Sequence, residues 1–236
     1  FGDQVGIPEE WRMDSMAISP DLRVIAVSNG QKGYFIYSNA LTSRDDFRLE
    51  NFYTGSYADP RLSSNAYISP LISISGSNVT RIRFTPNYYV WTLIQYTTSH
   101  QAFNVSGNVL PGQEFTALST IKSTTDYGAG TPTGLTFYDD KVFICRSGGT
   151  SVLMEVSDFN EPTPAEYEAL PGSFNPITEG IFTNTTTYNL TSLGLNYSNS
   201  PVEINFTKGG SILILSIESN FGDIYYFDCP TPYDIG

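Results

Sequence analysis

Residues 140 to 162, DKVFICRSGGTSVLMEVSDFNEP, decide how the chain is read. Val142-Phe143-Ile144-Cys145 and Val152-Leu153-Met154-Glu155-Val156 are two runs of β-forming residues. Gly148-Gly149 stands between them, which predicts a hairpin. Just upstream, GLTFYDD (134 to 140) adds a shorter strand that ends in a turn. The unit is therefore strand, tight turn, strand, Gly turn, strand.

The same unit recurs. MAISPDLRVIAVSNGQKGYFIYS begins at Met16, RIRFTPNYYVWTLIQYTTSHQAFNVS at Arg81, LTFYDDKVFICRSGGTSVLMEVS at Leu135 and EINFTKGGSILILSIESNFGDIYYFD at Glu203. Each copy opens with a short strand and a turn (Ser19-Pro20, Thr85-Pro86, Asp139-Asp140, Lys208-Gly209), followed by a strongly apolar second strand and then a third strand. A weaker fourth strand is expected after the first three copies, in FRLENFY from Phe47, EFTALS from Glu114 and EYEAL from Glu166. Four antiparallel strands, apolar inside and more polar outward, predict a propeller blade. One blade cannot bury both of its faces alone, so neighbouring blades must cover a second strand as apolar as VWTLI or ILIL.

These units resemble the β-propeller repeat proteins of the WD-like, YVTN-like and LVIVD-like group. The third copy carries the resemblance best, in its strand, Gly turn, apolar strand, then Asp and Pro. Trp-Asp dipeptides and Gly-His pairs are missing, so the WD40 pattern itself is not met. The expected fold is all-β: a β-propeller-like array of four four-stranded blades with long loops, in one domain over 1–236. The copies start further apart than compact blades require, so long loops or a degenerate fifth blade must fill the spacing. A β-sandwich with long loops is the alternative architecture. Copy four has no fourth strand before Pro230 and Pro232. Residues 1–12, in which Val5 and Ile7 alternate with other positions, are expected to close that blade, either within the chain or on the next copy, where strand exchange would build a filament.

Between the copies, residues 54 to 77 contain turn residues and a short strand at Leu71 to Ile74. Residues 121 to 134 are expected to be loop. Residues 171 to 201 alternate Leu and Tyr with Thr and Asn, as an extra exposed hairpin would.

Bulk composition excludes several functions. Lys plus Arg number 12 against 24 Asp plus Glu, a net charge of -12, and there is no basic cluster, so neither nucleic acid nor membrane insertion is expected. No apolar run is long enough for a membrane span. Charged residues are only 15%, and Ser, Thr, Asn and Tyr supply the polar surface, a composition that suits extracellular β proteins. The chain begins at Phe1, as a processed mature protein or a piece of a longer one would. Cys145 and Cys229 are expected to form one disulfide between neighbouring blades.

Catalytic patterns are missing from the sequence. His100 is the sole histidine, in a predicted polar turn, and no Gly-x-Ser-x-Gly elbow accompanies it. One His and two distant Cys do not make a zinc or copper site. Asp45-Asp46 and Asp139-Asp140 are expected as turn residues rather than calcium ligands. Glu114, Glu155 and Glu179 are the carboxylates that glycoside hydrolysis could draw on, with Glu155 expected on an exposed strand face. No phosphate loop or dinucleotide fingerprint occurs, and no cofactor is expected.

What remains is Asn-x-Ser/Thr. Expected glycosylation sites are Asn78, Asn104, Asn184, Asn189 and Asn196; Asn205 is set apart, because its strand VEINFT is expected to be innermost. The functional expectation is an extracellular or cell-surface, N-glycosylated structural or adhesive module, such as a subunit of a surface assembly or filament. Its partners are expected to be proteins (self-association or surface assembly) or glycans. A carbohydrate- or protein-binding propeller using exposed Tyr and Trp is one alternative, and a secreted carbohydrate-active enzyme is the second.

Overall fold

A computed structural model of the chain describes residues 15–19, 21–28, 33–39, 66–68, 72–74, 78–97, 100–125, 130–148, 151–193, 200–207, 209–218 and 223–234. Their strands form four antiparallel sheets, one for each predicted copy. The first sheet holds β1 (Ser15–Ile18), β2 (Val24–Ser28), β3 (Gly33–Asn39), β4 (Ala66–Ile68) and β5 (Ile72–Ser73). The second holds β6 (Asn78–Phe84), β7 (Tyr89–Thr97), β8 (His100–Asn108), β9 (Thr116–Thr124) and β13 (Ser173–Phe174). The third holds β10 (Thr131–Tyr138), β11 (Lys141–Gly148), β12 (Ser151–Phe159) and β14 (Phe182–Asn189). The fourth holds β15 (Ser200–Thr207), β16 (Ile212–Glu218) and β17 (Asp223–Asp228). The chain is thus an all-β protein with the four blade-like sheets of a β-propeller-like array.

Local chemistry explains why the first turn of every copy forms. In copy one, Ser19 Oγ accepts a hydrogen bond from Val24 N (2.9 Å) and Leu22 N donates to Ser19 O (2.9 Å), with Leu22 at φ 63°. Copy two repeats the arrangement: Thr85 Oγ1 accepts from Tyr89 N (3.0 Å), Tyr88 N donates to Thr85 O (3.0 Å), and Tyr88 is at φ 64°. Asp139 (φ 48°) and Gly209 (φ 64°) supply the left-handed residue in copies three and four.

The chain divides into two compact units: residues 1–98, 102–123 and 162–174, and residues 99–101, 124–161 and 175–236. In the first unit, one face of the first sheet packs on the second sheet through Ala17, Ala26, Tyr34, Ile36, Ile82 and Phe84. The Tyr34 hydroxyl is hydrogen-bonded to Ser106 inside this core, and burial pushes its pKa well up. In the second unit, Phe143, Cys145 and Met154 of the third sheet pack with Ile204, Leu213 and Leu215 of the fourth.

Several expectations need correction. EYEAL is not a strand: Pro164–Ala169 is a short helix, α1. Thr163 caps it, its side chain accepting from Glu166 N while Glu166 reaches back to Thr163 N (2.8 Å), and Pro164 begins the helix. α1 serves the second sheet. Tyr167 is fully buried there, stacked on Tyr89 (centroids 4.0 Å apart) and accepting from Trp91 Nε1 (3.2 Å). Lys122 Nζ donates to the helix's terminal carbonyls, Glu168 O (3.0 Å) and Leu170 O (2.7 Å).

The fourth strand of the third sheet is instead β14, within the segment expected to form a separate hairpin. Among the described residues of the stretch 121 to 134, strand replaces much of the expected loop, because β9 runs to Thr124 and β10 starts at Thr131. Two other fourth-strand expectations fare differently. β9 holds the position predicted from EFTALS, and the fourth sheet has three strands among the described residues. FRLENFY and residues 1–12 lie outside the described residues.

Cys145 and Cys229 are not joined; both are free thiols. Cys145 sits in β11, which packs on β15, whereas Cys229 follows β17, two strands further across the fourth sheet. Both border the same core cluster, Cys145 buried within it and Cys229 half-buried at its margin, as separate thiols.

Candidate functional site

The densest cluster of functional candidates lies along β14. Its sequence FTNTTTYN holds the exposed Thr185, Thr186 and Thr187, of which Thr185 shares a hydroxyl hydrogen bond with Ser157 on β12 (2.8 Å), and β14 is the edge of its sheet among the described residues. Asn184 is exposed at φ 51°, and its Nδ2 donates to Asp158 Oδ2 (2.7 Å) on β12. Lys141 Nζ lies 3.4 Å from Asp158 Oδ1. The Asn184 amide, and after it the Lys141 ammonium, hold the Asp158 carboxyl below the usual carboxylate range. Asn189 is also exposed and leads into a single 3-10 turn, Leu190–Leu193. Its Oδ1 accepts from Thr191 N (3.1 Å) and Thr191 Oγ1 (2.6 Å), so amide and hydroxyl of that sequon are already in contact.

The other predicted glycosylation sites separate by burial. Asn78 opens β6 and is exposed. Asn104 is only 1% exposed, in a β8 stretch buried on both faces, so its amide is closed to a glycan in this fold. Asn196 lies outside the described residues.

A second cluster emerges only in the fold. Glu155 is not on an exposed face: its Oε2 accepts from Arg146 Nε at 2.6 Å, with the side chains 13% and 1% exposed. Arg146 Nη1 also donates to Gly130 O (3.1 Å), the residue just before β10. Ile144 pairs with Glu155 and Arg146 with Leu153, so the two charges are diagonal neighbours on one sheet face. The register implied by the hairpin would have placed them together. With its carboxylate held by a guanidinium, Glu155 serves as a structural counter-ion. Glu114 and Glu179 are exposed, the first before β9 and the second in a turn before β14.

His100 is the first residue of β8 rather than a turn residue. Asp139 and Asp140 form the β10–β11 turn, and Asp45-Asp46 lies outside the described residues. Among the described residues no three His, Cys, Asp or Glu side chains group to hold a metal ion, and no helix is long and apolar enough to cross a membrane. Trp91 is completely buried against Phe103 and Phe174, so it offers no platform to a sugar.

No family model and no curated protein matches this chain. Among solved structures it is similar to the β-propeller domain of Cps50 (Swd1) from Myceliophteria thermophila, at 11% identity and a TM-score of 0.42. The match covers 93% of this chain and 53% of that one, so the chain spans about half the length of its match.

Proposed function

We propose that this chain is an extracellular or cell-surface, N-glycosylated β module with a structural or adhesive role and no enzymatic activity of its own. The observation that carries this reading is β14, an exposed edge strand with sequons at Asn184 and Asn189 and threonines between them. An unpaired edge invites pairing with other chains, and proteins protect such edges. Glycans at both positions would close this one. β17 is a different kind of edge. It has no strand on its outer side among the described residues, so its backbone edge is open to a further strand. Strand addition there, by residues 1–12 of another copy, is the contact through which a surface assembly or filament would grow. The buried Trp91 and the engaged Glu155 give the sugar-binding and glycosidase readings less support.

Secretion of the full chain from eukaryotic cells tests this, with intact mass taken before and after glycosidase treatment. The expected result is loss of mass corresponding to glycans that map to Asn184 and Asn189. A single unmodified mass overturns the reading.

A further inference from the structure

The fourth sheet has one face in the core and one outside. Ile204, Leu213 and Leu215 point inward. The register sets Asn205 beside Ile214 and Ile214 beside Tyr226; on either side of this row run Glu203, Ser216 and Ile224, and Thr207, Ile212 and Asp228. On this outer face Asn205 and Thr207 are exposed, Ile224 is 55% exposed and Tyr226 67%. β15 is therefore not sealed on both sides, and the reason for setting Asn205 apart does not hold.

We infer that Asn205 is N-glycosylated and that its glycan covers this outer face. The inference rests on the secreted reading above, but on separate residues. Asn205 and Thr207 are two apart on a strand, so amide and hydroxyl project from the same face, both accessible, as Asn-Phe-Thr recognition requires. Neighbouring strands put Ile214 about 5 Å and Tyr226 about 10 Å from the attachment point. The first sugars of a glycan on Asn205 can lie along that row, with the apolar faces of their rings against Ile214 and Tyr226. A patch with this much exposed aliphatic and aromatic surface is otherwise a site of association. Chemically, Asn205 Nδ2 attacks the anomeric carbon of a lipid-diphosphate-linked oligosaccharide. The new N–C bond forms as the C–O bond to phosphate breaks, the lipid diphosphate leaves with the electron pair, and the nitrogen's proton passes to a base of the transferase.

The test uses the full chain secreted from eukaryotic cells, with glycosidase release in heavy-oxygen water and peptide mapping. The expected result is a tagged Asp at position 205 in the wild type and its loss in both Asn205→Gln and Thr207→Ala, the second of which keeps the asparagine. Both variants should bind several-fold more of an apolar-surface dye than the wild type, and adding Tyr226→Ser should reverse that gain. If Asn184 or Asn189 carries glycan while Asn205 is bare, this inference falls and the secreted reading stands. If all three are bare, both fall. Occupancy at position 205 without any change in dye binding on its loss overturns the covering role.

Discussion

Removing the Glu155 carboxylate should unbalance the interior of the third sheet. Glu155→Ala leaves the Arg146 guanidinium, 1% exposed in the wild-type fold, without its counter-ion. The guanidinium retains the bond to Gly130 O but loses the 2.6 Å carboxylate contact that neutralises it. Breaking a buried pair from one side costs about 3–5 kcal/mol. With a urea dependence of about 2 kcal/mol per molar, the unfolding midpoint should fall by roughly 1.5–2.5 M. Arg146→Met combined with Glu155→Leu removes both charges and fills the same space, so it should return to within about 1 kcal/mol of the wild type or exceed it. Urea unfolding followed by circular dichroism measures all three proteins. Because the pair is screened little where it lies, the deficit of Glu155→Ala should persist at high salt. A loss below about 1 kcal/mol for Glu155→Ala, or a double variant as unstable as the single one, would refute the reasoning.

Gly107 lies at the β8–β9 bulge, where an added Cβ would come within 2.3 Å of Thr116 O; Gly107→Ala should cost about 1–3 kcal/mol, while Gly172→Ala, with nothing within 4 Å of its Cβ, should be nearly neutral by the same urea assay. The Thr163 backbone and hydroxyl donors hold Glu166 below its ordinary pKa. The stabilisation they give is therefore complete above that ordinary value and lost as pH falls through the lower folded one; Thr163→Ala should move the Glu166 carboxyl back toward the ordinary value in an NMR titration, and an unchanged titration would contradict the capping box. Thiol reagent should leave Cys145 untouched in the native protein and react slowly at Cys229, whose pKa burial raises; after unfolding without reductant both should titrate, and a count below two would restore the disulfide.

The four sheets are legible in the sequence because their first three strands carry strong apolar patterns joined by turns with recognisable residues, as at Ser19-Pro20 and Thr85-Pro86. α1 is not, because EYEAL alternates polar and apolar residues as a strand does. The signal that corrects it stands just upstream, in the Thr163-Pro164-Ala165-Glu166 capping box. β14 falls in a segment legible as a hairpin but not as part of the third copy, because its Thr and Asn residues carry nothing that ties it to that sheet, and only its partner β12 shows where it belongs. The burial of Asn104 is equally concealed, since a strand enclosed on both faces admits a polar residue without breaking its pattern. The Arg146–Glu155 pair follows from register, which needs the hairpin to be aligned residue by residue before the diagonal emerges.

The insertion of residues 162–174 into the sequence of the other unit determines how the chain can be divided. That piece belongs with the first unit, yet the chain on both sides of it, 124–161 and 175–236, belongs with the second. A chain ending at 161 would leave Trp91 and Tyr89 without Tyr167. A chain starting at 124 would carry Tyr167 with no second sheet to bury it. Neither unit is therefore a continuous fragment, and a single cleavage cannot release one intact.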